Sequence, residues 1–537
     1  MRLSLVPALS SLLPLVYSAT PPTVEIRNGT ILGVLNTTRS VEKFLGIPYA
    51  EPPVGTLRLA QSIPLKSPFG TLNASAYGPA CYNSLNVGNP SEDCLTLNIW
   101  RPAGETSSNA SLPVLVWLYG GGLVAGYAAD PKFEGTNLTA NSAAVGKPII
   151  IVTLNYRLGP FGFLNGKEMA ELGLLNLGML DQRRAFHWIQ ENIGAFGGDP
   201  KKVTLAGESA GAVSIYSHMM AYGGRDDALF HGAILESGGA FPLTGPDTPA
   251  FQASFNALIT NTTCASTLNG TAAEKLDCIR GLDVPTLRAS VGKSTGQSID
   301  GDFTRTSLIN ALHSGAYAHI PTIVGTNTDE GTTSAPTNVS TLSDLLGPVS
   351  DGYFRPRKLP NTTASTLISK YSTNPRLGCP YNTGETRFSG GALDKMACSI
   401  FGDIVQIAPA RMIAHVLTRS GVPVWRYRFN QLPPGGEMTG KGIGTAVEQQ
   451  YVFSNVVNAT AWDGNVAFQM GALWASFAHD MDPNGVVAEV GLPKWPTYGK
   501  DANSIVLSGF GSSIEQDTYR GDAIQYIIDK VLPDGAA

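Results

Sequence analysis

The chain alternates between short apolar runs and longer segments with helical periodicity. Most of the runs lack alternation and are apolar throughout, as strands covered on both faces of a sheet must be. Small strands are also expected within residues 23–47, where Asn-Gly signals separate short pieces. Buried strands are predicted at residues 95–100, 114–119, 149–155, 203–206, 233–235, 321–325 and 422–429. With helices between them, such as 180–193, the pattern predicts an α/β fold with a large, mostly parallel, doubly wound sheet.

The rest of the chain predicts additions to that sheet. Residues 333–394 are rich in Ser, Thr, Pro and Gly, and are expected to form an insertion of helices and loops near the functional site. Residues 522–532 predict a closing helix. A chain of 537 residues would normally suggest two or more domains, but one large sheet can support an oversized α/β unit. We expect a single domain over residues 20–537.

Composition excludes several classes of protein. With 43% hydrophobic and 15% charged residues, the chain can bury a sizeable core and is not disordered. A net charge of −5 gives no basic surface for nucleic acid. The expected partner is therefore a small, apolar, uncharged molecule, while the oligomeric state stays open. Nothing indicates a cofactor, and the absence of C-x-x-C spacing disfavours a metal site.

The first 19 residues resemble a cleaved secretory signal. They combine a positive start with an apolar stretch that prolines interrupt and that ends in small residues. No lipid-anchor signal is evident, so a stable membrane anchor is not expected. Ten N-x-S/T sequons indicate glycosylation in the secretory pathway, at Asn28, Asn36, Asn73, Asn109, Asn137, Asn261, Asn269, Asn338, Asn361 and Asn458.

Ser209 stands at the centre of the pentapeptide 207–211, Gly-Glu-Ser-Ala-Gly. An apolar strand precedes it and a segment compatible with a helix follows. This context predicts a nucleophile elbow, a turn too tight for side chains at Gly207 and Gly211 that lifts the serine hydroxyl above the sheet.

The block from Asn176 to Ser214 resembles the signature of the type-B carboxylesterase/lipase family, which includes cholinesterases and secreted fungal esterases and lipases. Further stretches carry the same resemblance. They are FLGIPYAEPPVGTLRLA from Phe44, SEDCLTLNIW from Ser91, PVLVWLYGGG from Pro113, LNYRLGPFGFL from Leu154 and NTDEGT from Asn327. The resemblance covers most of the chain and implies an α/β-hydrolase fold.

The resemblance also implies roles for particular residues. The backbone N–H groups of Gly121 and Gly122, with that of Ala210, would form the oxyanion hole. Glu330, in the tripeptide Asp-Glu-Gly after a predicted strand, would be the acid of the catalytic triad. Glu208, beside the nucleophile, is expected to support the elbow rather than to act as a base.

The triad histidine is missing. The family carries it in a pattern like G-x-x-H-x-x-E-x-x-x-V-F, and residues 442–453 align with this pattern without a gap and place Thr445 at the histidine position. A threonine hydroxyl is too weak a base to accept a proton at neutral pH. We expect neither Lys441 nor any of the seven histidines to reach Ser209. The histidines are His187, His218, His231, His313, His319, His415 and His479.

The six cysteines form close pairs, and an even count in a secreted chain favours disulfides. The pairs Cys81 with Cys94 and Cys264 with Cys278 resemble disulfide-closed loops of the family. The pairing of Cys379 with Cys398 is inferred only from proximity and the even count.

Three functional hypotheses follow. The first is an enzyme that uses the carboxylesterase scaffold for a non-hydrolytic or atypical reaction at a polarised carbonyl, such as a cyclisation, condensation or elimination in fungal biosynthesis. The second is a true carboxylesterase that takes its base from elsewhere. The third is a binding or adhesion protein that has kept the fold and lost the chemistry, which the intact Ser209 disfavours.

Overall fold

The computed structural model of the chain describes residues 21–104, 111–240, 242–290, 295–351, 358–387, 389–436 and 440–533. The proposed signal segment and Asn109 lie outside these residues. The division into a signal segment and one domain therefore stays a prediction.

The fold is built on two sheets. A small sheet contains β1 (Thr23–Ile26), β2 (Gly29–Leu32) and β5 (Gly70–Asn73). Within the described residues, eleven strands form the large sheet, in the spatial order β14-β13-β12-β11-β10-β9-β7-β8-β6-β4-β3. They are β3 (Val34–Asn36), β4 (Val41–Pro48), β6 (Thr96–Pro102), β7 (Leu112–Leu118), β8 (Ile150–Leu154), β9 (Gly198–Glu208), β10 (Gly232–Glu236), β11 (Thr322–Asn327), β12 (Val424–Phe429), β13 (Asn503–Leu507) and β14 (Ser513–Gln516).

Seven neighbouring strands of the large sheet are parallel to one another, in the spatial order β8-β7-β9-β10-β11-β12-β13. The strand pairs at the two edges of the sheet are antiparallel. The central strands β7, β8 and β10 are buried along their whole length, as strands covered on both faces should be. The prediction of a large, mostly parallel α/β sheet is therefore confirmed.

Helices cover the sheet and fill the insertions. They are α1 (Thr136–Ala144), α2 (Gly159–Phe163), α3 (Lys167–Glu171), α4 (Leu177–Asn192), α5 (Ala210–Gly224), α6 (Pro249–Thr260), α7 (Ala272–Gly281), α8 (Val284–Ser290), α9 (Leu308–Ser314), α10 (Leu342–Asp351), α11 (Asn361–Ser369), α12 (Asp394–Gly402), α13 (Ala408–Arg419), α14 (Gln449–Val452), α15 (Ala461–Asp480) and α16 (Gly521–Tyr526).

Within the described ranges, one helical rod is long and apolar enough to cross a membrane. Helices α12 and α13 are continuous through a π-helical turn, so that the rod spans Asp394–Arg419. In its most apolar stretch 89% of the residues are buried inside the fold, as in a core helix.

The predicted elements are mostly shorter than the observed ones. Strand β9 begins at Gly198, five residues before the predicted run. The apolar pattern missed its first half, because that half is polar and is exposed at Lys201 and Lys202. Strands β13 and β14 were not predicted. The edge strand β14 is mostly exposed and lacks an apolar run. The insertion over residues 333–394 does contain helices, α10 and α11, and helix α16 lies where a closing helix was predicted.

All three predicted cysteine pairs are bonded in the structure. The Cα atoms of Cys81 and Cys94 lie 5.0 Å apart, those of Cys264 and Cys278 lie 5.6 Å apart, and those of Cys379 and Cys398 lie 5.4 Å apart. The third disulfide joins the insertion to helix α12.

Candidate active site

Strand β9 and helix α5 meet at Ser209, which has a strained left-handed backbone with φ of 52°. The N–H of Ser209 donates a 2.8 Å hydrogen bond to the carbonyl of Glu236 on the neighbouring strand β10. A Cβ atom added at Gly207 would lie 2.6 Å from the carbonyl oxygen of Leu118, and one at Gly211 would lie 2.0 Å from it. Only glycine therefore fits on either side of this turn.

A glycine loop follows strand β7 and passes against the elbow. A Cβ atom added at Gly120 would lie 3.1 Å from the Cβ of Ser209. Gly121 and Gly122 have φ values of 108° and 64°, which favour glycine. Within the described residues, the N–H groups of Gly121, Gly122 and Ala210 donate no hydrogen bond, so they are available to a ligand oxygen.

Glu330 follows strand β11 and is almost fully buried, at 1% exposure. Its Oε1 accepts hydrogen bonds from the Ser237 hydroxyl at 2.6 Å and from the N–H of Asn327 at 2.7 Å. Its Oε2 accepts one from the Thr445 hydroxyl at 2.7 Å. Burial raises the pKa of the Glu330 carboxyl, although these three donors act against the rise. The structure thus brings Thr445 into direct contact with Glu330.

Ser209 and Glu330 stand at the carboxyl ends of strands β9 and β11, with β10 between them. Among the residues that the structure describes, no side chain hydrogen-bonds the Ser209 hydroxyl, and Thr445 turns its own hydroxyl to Glu330 instead. The geometry therefore supplies a positioned serine without an adjacent base. The catalytic roles of these residues stay predictions.

The histidines are engaged elsewhere or lie at the surface. His218 is buried, its Nε2 lies 3.0 Å from Gln182 Oε1, and burial lowers the pKa of its imidazole. His415 contacts the Tyr498 hydroxyl, and His479 pairs with Asp480 at 2.7 Å. Three others are exposed, namely His187, His313 and His319, and His231 is half-buried at the start of β10. Lys441 is exposed on the loop that carries Thr445.

Asp329 fixes the loop that carries Thr445. Its buried carboxylate accepts hydrogen bonds from the N–H of Ile443 at 2.9 Å and from the N–H of Tyr381 at 2.8 Å. The N–H of Asp329 donates in turn to the carbonyl of Ile443 at 2.9 Å. The carboxylate thus ties the Thr445 loop and the insertion to the end of strand β11, beside Glu330.

Helix α12, which follows the insertion, packs directly on the turn after Glu330. A Cβ atom added at Gly331 would lie 1.8 Å from the carbonyl oxygen of Cys398, so only glycine permits this contact. A cavity of about 80 Å³ opens between the turn and the insertion, and Thr332, Pro336 and Lys395 are among its lining residues. The expected position of the insertion near the site agrees with this cavity, which Pro336 and Cys379 of the insertion line.

Three further polar residues behind Glu330 were given no role from the sequence. Glu236 ends strand β10, Ser237 follows it with φ of 49°, and Glu448 lies three residues after Thr445. The glutamates are fully buried. The sequence feature that could have identified Glu236 is a carboxylate at the end of an apolar strand. Glu208, expected to support the elbow, accepts a 2.6 Å hydrogen bond from Gln449 Nε2 and so joins the elbow to helix α14.

Comparisons with known proteins agree with this architecture. The sequence profile of the Carboxylesterase family matches residues 20–524. The chain is 33% identical to Secreted lipase 1 of Botryotinia fuckeliana, over 98% of this chain and 99% of that protein. It is 30% identical to Lipase 2 of Diutina rugosa, over 94% and 95%. Among solved structures, Aspergillus niger EstA superposes with a TM-score of 0.81 at 26% identity, over 95% of this chain and 98% of that one.

Proposed function

Because this chain belongs to the carboxylesterase family and is an enzyme of the α/β-hydrolase type, we propose that it acts at an ester or activated carbonyl of a small apolar substrate without a fast acyl-serine step. The observation that carries the proposal is the hydrogen bond from Thr445 to Glu330, in the place where the family has an imidazole. The reaction proposed is non-hydrolytic, such as a cyclisation, condensation or elimination in biosynthesis.

The large rate contribution of a catalytic histidine supports a non-hydrolytic reaction over ester hydrolysis. In serine hydrolases, removing the histidine costs on the order of a millionfold in turnover, and the oxyanion hole and binding leave roughly a thousandfold over water. Gly121, Gly122 and Ala210 keep their N–H groups available for a carbonyl oxygen. A carbonyl polarised in this way would react with a second group of the same substrate, and the Ser209 hydroxyl would serve as a hydrogen-bond donor.

The second candidate is a true carboxylic ester hydrolase with a base from elsewhere. It is favoured by the names of the relatives, which are lipases, and of the structural neighbours, which are esterases. The third hypothesis, a binding or adhesion protein, gains no support from these relatives.

We also propose that the protein is secreted and glycosylated. Two relatives carry the word secreted in their names, and the first 19 residues have the features of a signal. Six of the predicted glycosylation sites are exposed, namely Asn73, Asn261, Asn269, Asn338, Asn361 and Asn458. Asn137 is less suited, because its Nδ2 donates hydrogen bonds to Ser454 and Asn455.

Covalent labelling tests the main proposal. An organophosphonate reacts only with an activated serine, so the wild type should stay unlabelled in intact-protein mass spectrometry. The Thr445→His variant should be labelled, and the double variant with Ser209→Ala should not. Rapid labelling of the wild type at Ser209 would show that another group already serves as base, and the hydrolase would then be the better assignment.

A further inference from the structure

A continuous path of hydrogen bonds leads from the surface of the site to a buried carboxyl. The exposed Thr333 hydroxyl donates to Thr445 Oγ1 at 3.2 Å, and the Thr445 hydroxyl donates to Glu330 Oε2 at 2.7 Å. On the far side of Glu330, the Ser237 hydroxyl lies 2.6 Å from Glu330 Oε1 and 3.1 Å from Glu448 Oε1. Two carboxyls and three hydroxyls are thus linked in series.

Counting hydrogens gives this path a direction. Ser237 has one hydroxyl hydrogen, and the shorter distance assigns it to Glu330. The 3.1 Å contact with Glu448 is then a hydrogen bond only if Glu448 carries a proton and donates it to the Ser237 oxygen. Glu330 accepts from Ser237, Asn327 and Thr445, which suits a charged carboxylate. The negative charge therefore belongs on Glu330 and the proton on Glu448.

The groups around this path favour the same assignment. Glu208 and Glu236 face it from strands β9 and β10, and Tyr427 faces it from β12. Glu208 Oε1, Glu236 Oε2 and the Tyr427 hydroxyl are buried without a partner among the described residues. The nearby cations are engaged elsewhere, since Arg426 contacts Asp517 and Thr326, and Lys132 contacts Asp130. Four carboxyls so close together, with no ion pair to a cation in the described part of the chain, cannot all be charged.

The pKa directions agree with the geometry. Burial and the charge of Glu330 raise the pKa of Glu448 to about 7. Burial and the neighbouring carboxyls raise the pKa of Glu208 well above its usual range. Burial also raises the pKa of Glu236, with Glu448 adding to the effect. Such a raised pKa brings a carboxyl closer to the range useful for proton transfer at neutral pH.

We propose that the Thr445 hydroxyl passes a proton from a hydroxyl group of the substrate to Glu330, while Glu448 holds a proton behind Ser237. The substrate would then carry an alcohol that attacks the carbonyl polarised by Gly121 and Gly122. This inference rests on the function proposed above and adds the substrate class and the base.

The step balances without a co-reactant. The O–H bond of the substrate breaks, its electron pair forms the new bond to the carbonyl carbon, and its proton goes to Thr445 Oγ1. The π pair of the carbonyl moves onto its oxygen, which the N–H groups of Gly121 and Gly122 would hold. The original Thr445 proton moves at the same time to Glu330 Oε2. When the carbonyl re-forms, the bond from its carbon to the leaving oxygen breaks, and a proton returns through Thr445 to that oxygen. Thr445 need not be a base, because the proton finishes on a carboxylate and no charge develops on the threonine.

Alcoholysis of p-nitrophenyl acetate by 1-butanol tests the relay, with butyl acetate measured by gas chromatography. Thr445→Val has nearly the shape of threonine but no hydroxyl, and it should lose roughly a hundredfold or more of the rate, the scale of one general acid–base contribution. Thr445→Ser keeps the hydroxyl and should restore most of the rate. An unchanged rate in Thr445→Val would overturn the relay, even if the wild type resists organophosphonate labelling as the proposed function requires.

A readout without substrate tests Glu448 as a positioning residue. Infrared difference spectra of the wild type should show a protonated buried carboxyl that titrates near pH 7. Glu448→Gln should remove this band and shift the pH profile of butyl acetate formation. A folded Glu448→Gln variant with an unchanged spectrum and pH profile would overturn the assignment of the proton. If Glu448→Gln does not fold, two results still test the proposal. They are the wild-type infrared band near pH 7 and the comparison of Thr445→Val with Thr445→Ser.

Discussion

The two sides of the site differ in how closely they follow the chemistry of the family. The elbow side, formed by Ser209, Gly121, Gly122 and Ala210, presents a strained serine next to N–H groups that have no partner in the described part of the chain. The carboxyl side, formed by Glu330, Thr445, Ser237 and Glu448, has hydroxyls where an imidazole is expected. Under the proposed function, polarisation of a carbonyl belongs to the elbow side and activation of a nucleophile to the carboxyl side. A site can keep the first function while the second changes.

The largest change should come from restoring the imidazole. Thr445→His would place a base between the two sides and raise hydrolysis of p-nitrophenyl butyrate by roughly a thousandfold or more. The absorbance of released p-nitrophenol measures the rate. Thr445→Asn is the matched control, since it adds a polar side chain without a base and should give no gain. A wild type that already hydrolyses this ester as fast as Thr445→His would show that the carboxyl side is intact in function.

The next largest effect tests the elbow side. In Gly121→Ala, the added Cβ would lie 2.4 Å from the Ala125 carbonyl oxygen and would strain a backbone with φ of 108°, so the loop must move. Displacing one oxyanion donor should lower the rate of butyl acetate formation roughly a hundredfold to a thousandfold. Gly122→Ala is the comparison, because the nearest atom to its new Cβ is 3.9 Å away, and it should lose less. Equal losses in the two variants would contradict the assigned geometry.

The dependence of stability on pH separates the carboxyl side from ordinary surface carboxylates. Between pH 4.5 and about 7 the folded chain keeps the Glu448 proton and the unfolded chain releases it. The free energy of unfolding should therefore fall as pH rises through this window and level off above it, by about 1.4 kcal/mol per unit of pKa difference.

Chemical denaturation across this pH range measures the effect. It appears as the difference between the wild type and Glu448→Gln, which has no carboxyl to titrate. A difference that stays constant from pH 4.5 to 8 would mean that Glu448 is charged in the folded state.

The smallest expected effect concerns the support of the Thr445 loop. Asp329→Ala leaves the part-buried N–H of Tyr381 and the buried N–H of Ile443 without their acceptor and should cost about 1–3 kcal/mol of stability. Asp329→Asn retains one carbonyl oxygen and should lose less, as thermal unfolding would show. If both variants match the wild type, the loop is held by other contacts.

The sequence predicted the elbow side better than the carboxyl side for a physical reason. Gly207 and Gly211 are required by a local turn, so a five-residue pattern after an apolar strand identifies Ser209. The contacts of Thr445, Ser237 and Glu448 join segments up to 211 residues apart, and no local pattern reports them. The alignment of residues 442–453 located Thr445, but only the fold shows that its hydroxyl turns to Glu330.

The same distinction holds for the sheet. Apolar runs located the buried central strands such as β7 and β8, whereas the exposed edge strand β14 has no such run. The helices of the insertion could be expected only in outline, because residues 333–394 are rich in Ser, Thr, Pro and Gly and carry no clear helical periodicity.

The two backbone bonds that Asp329 accepts bear on how such a site changes over generations. The carboxylate holds the backbone on either side of the pocket through main-chain N–H groups, which are the same whatever side chain occupies position 445. A substitution there alters the chemistry and leaves the frame in place. An exchange between an imidazole and a hydroxyl at position 445 would therefore need no rebuilding of the loop.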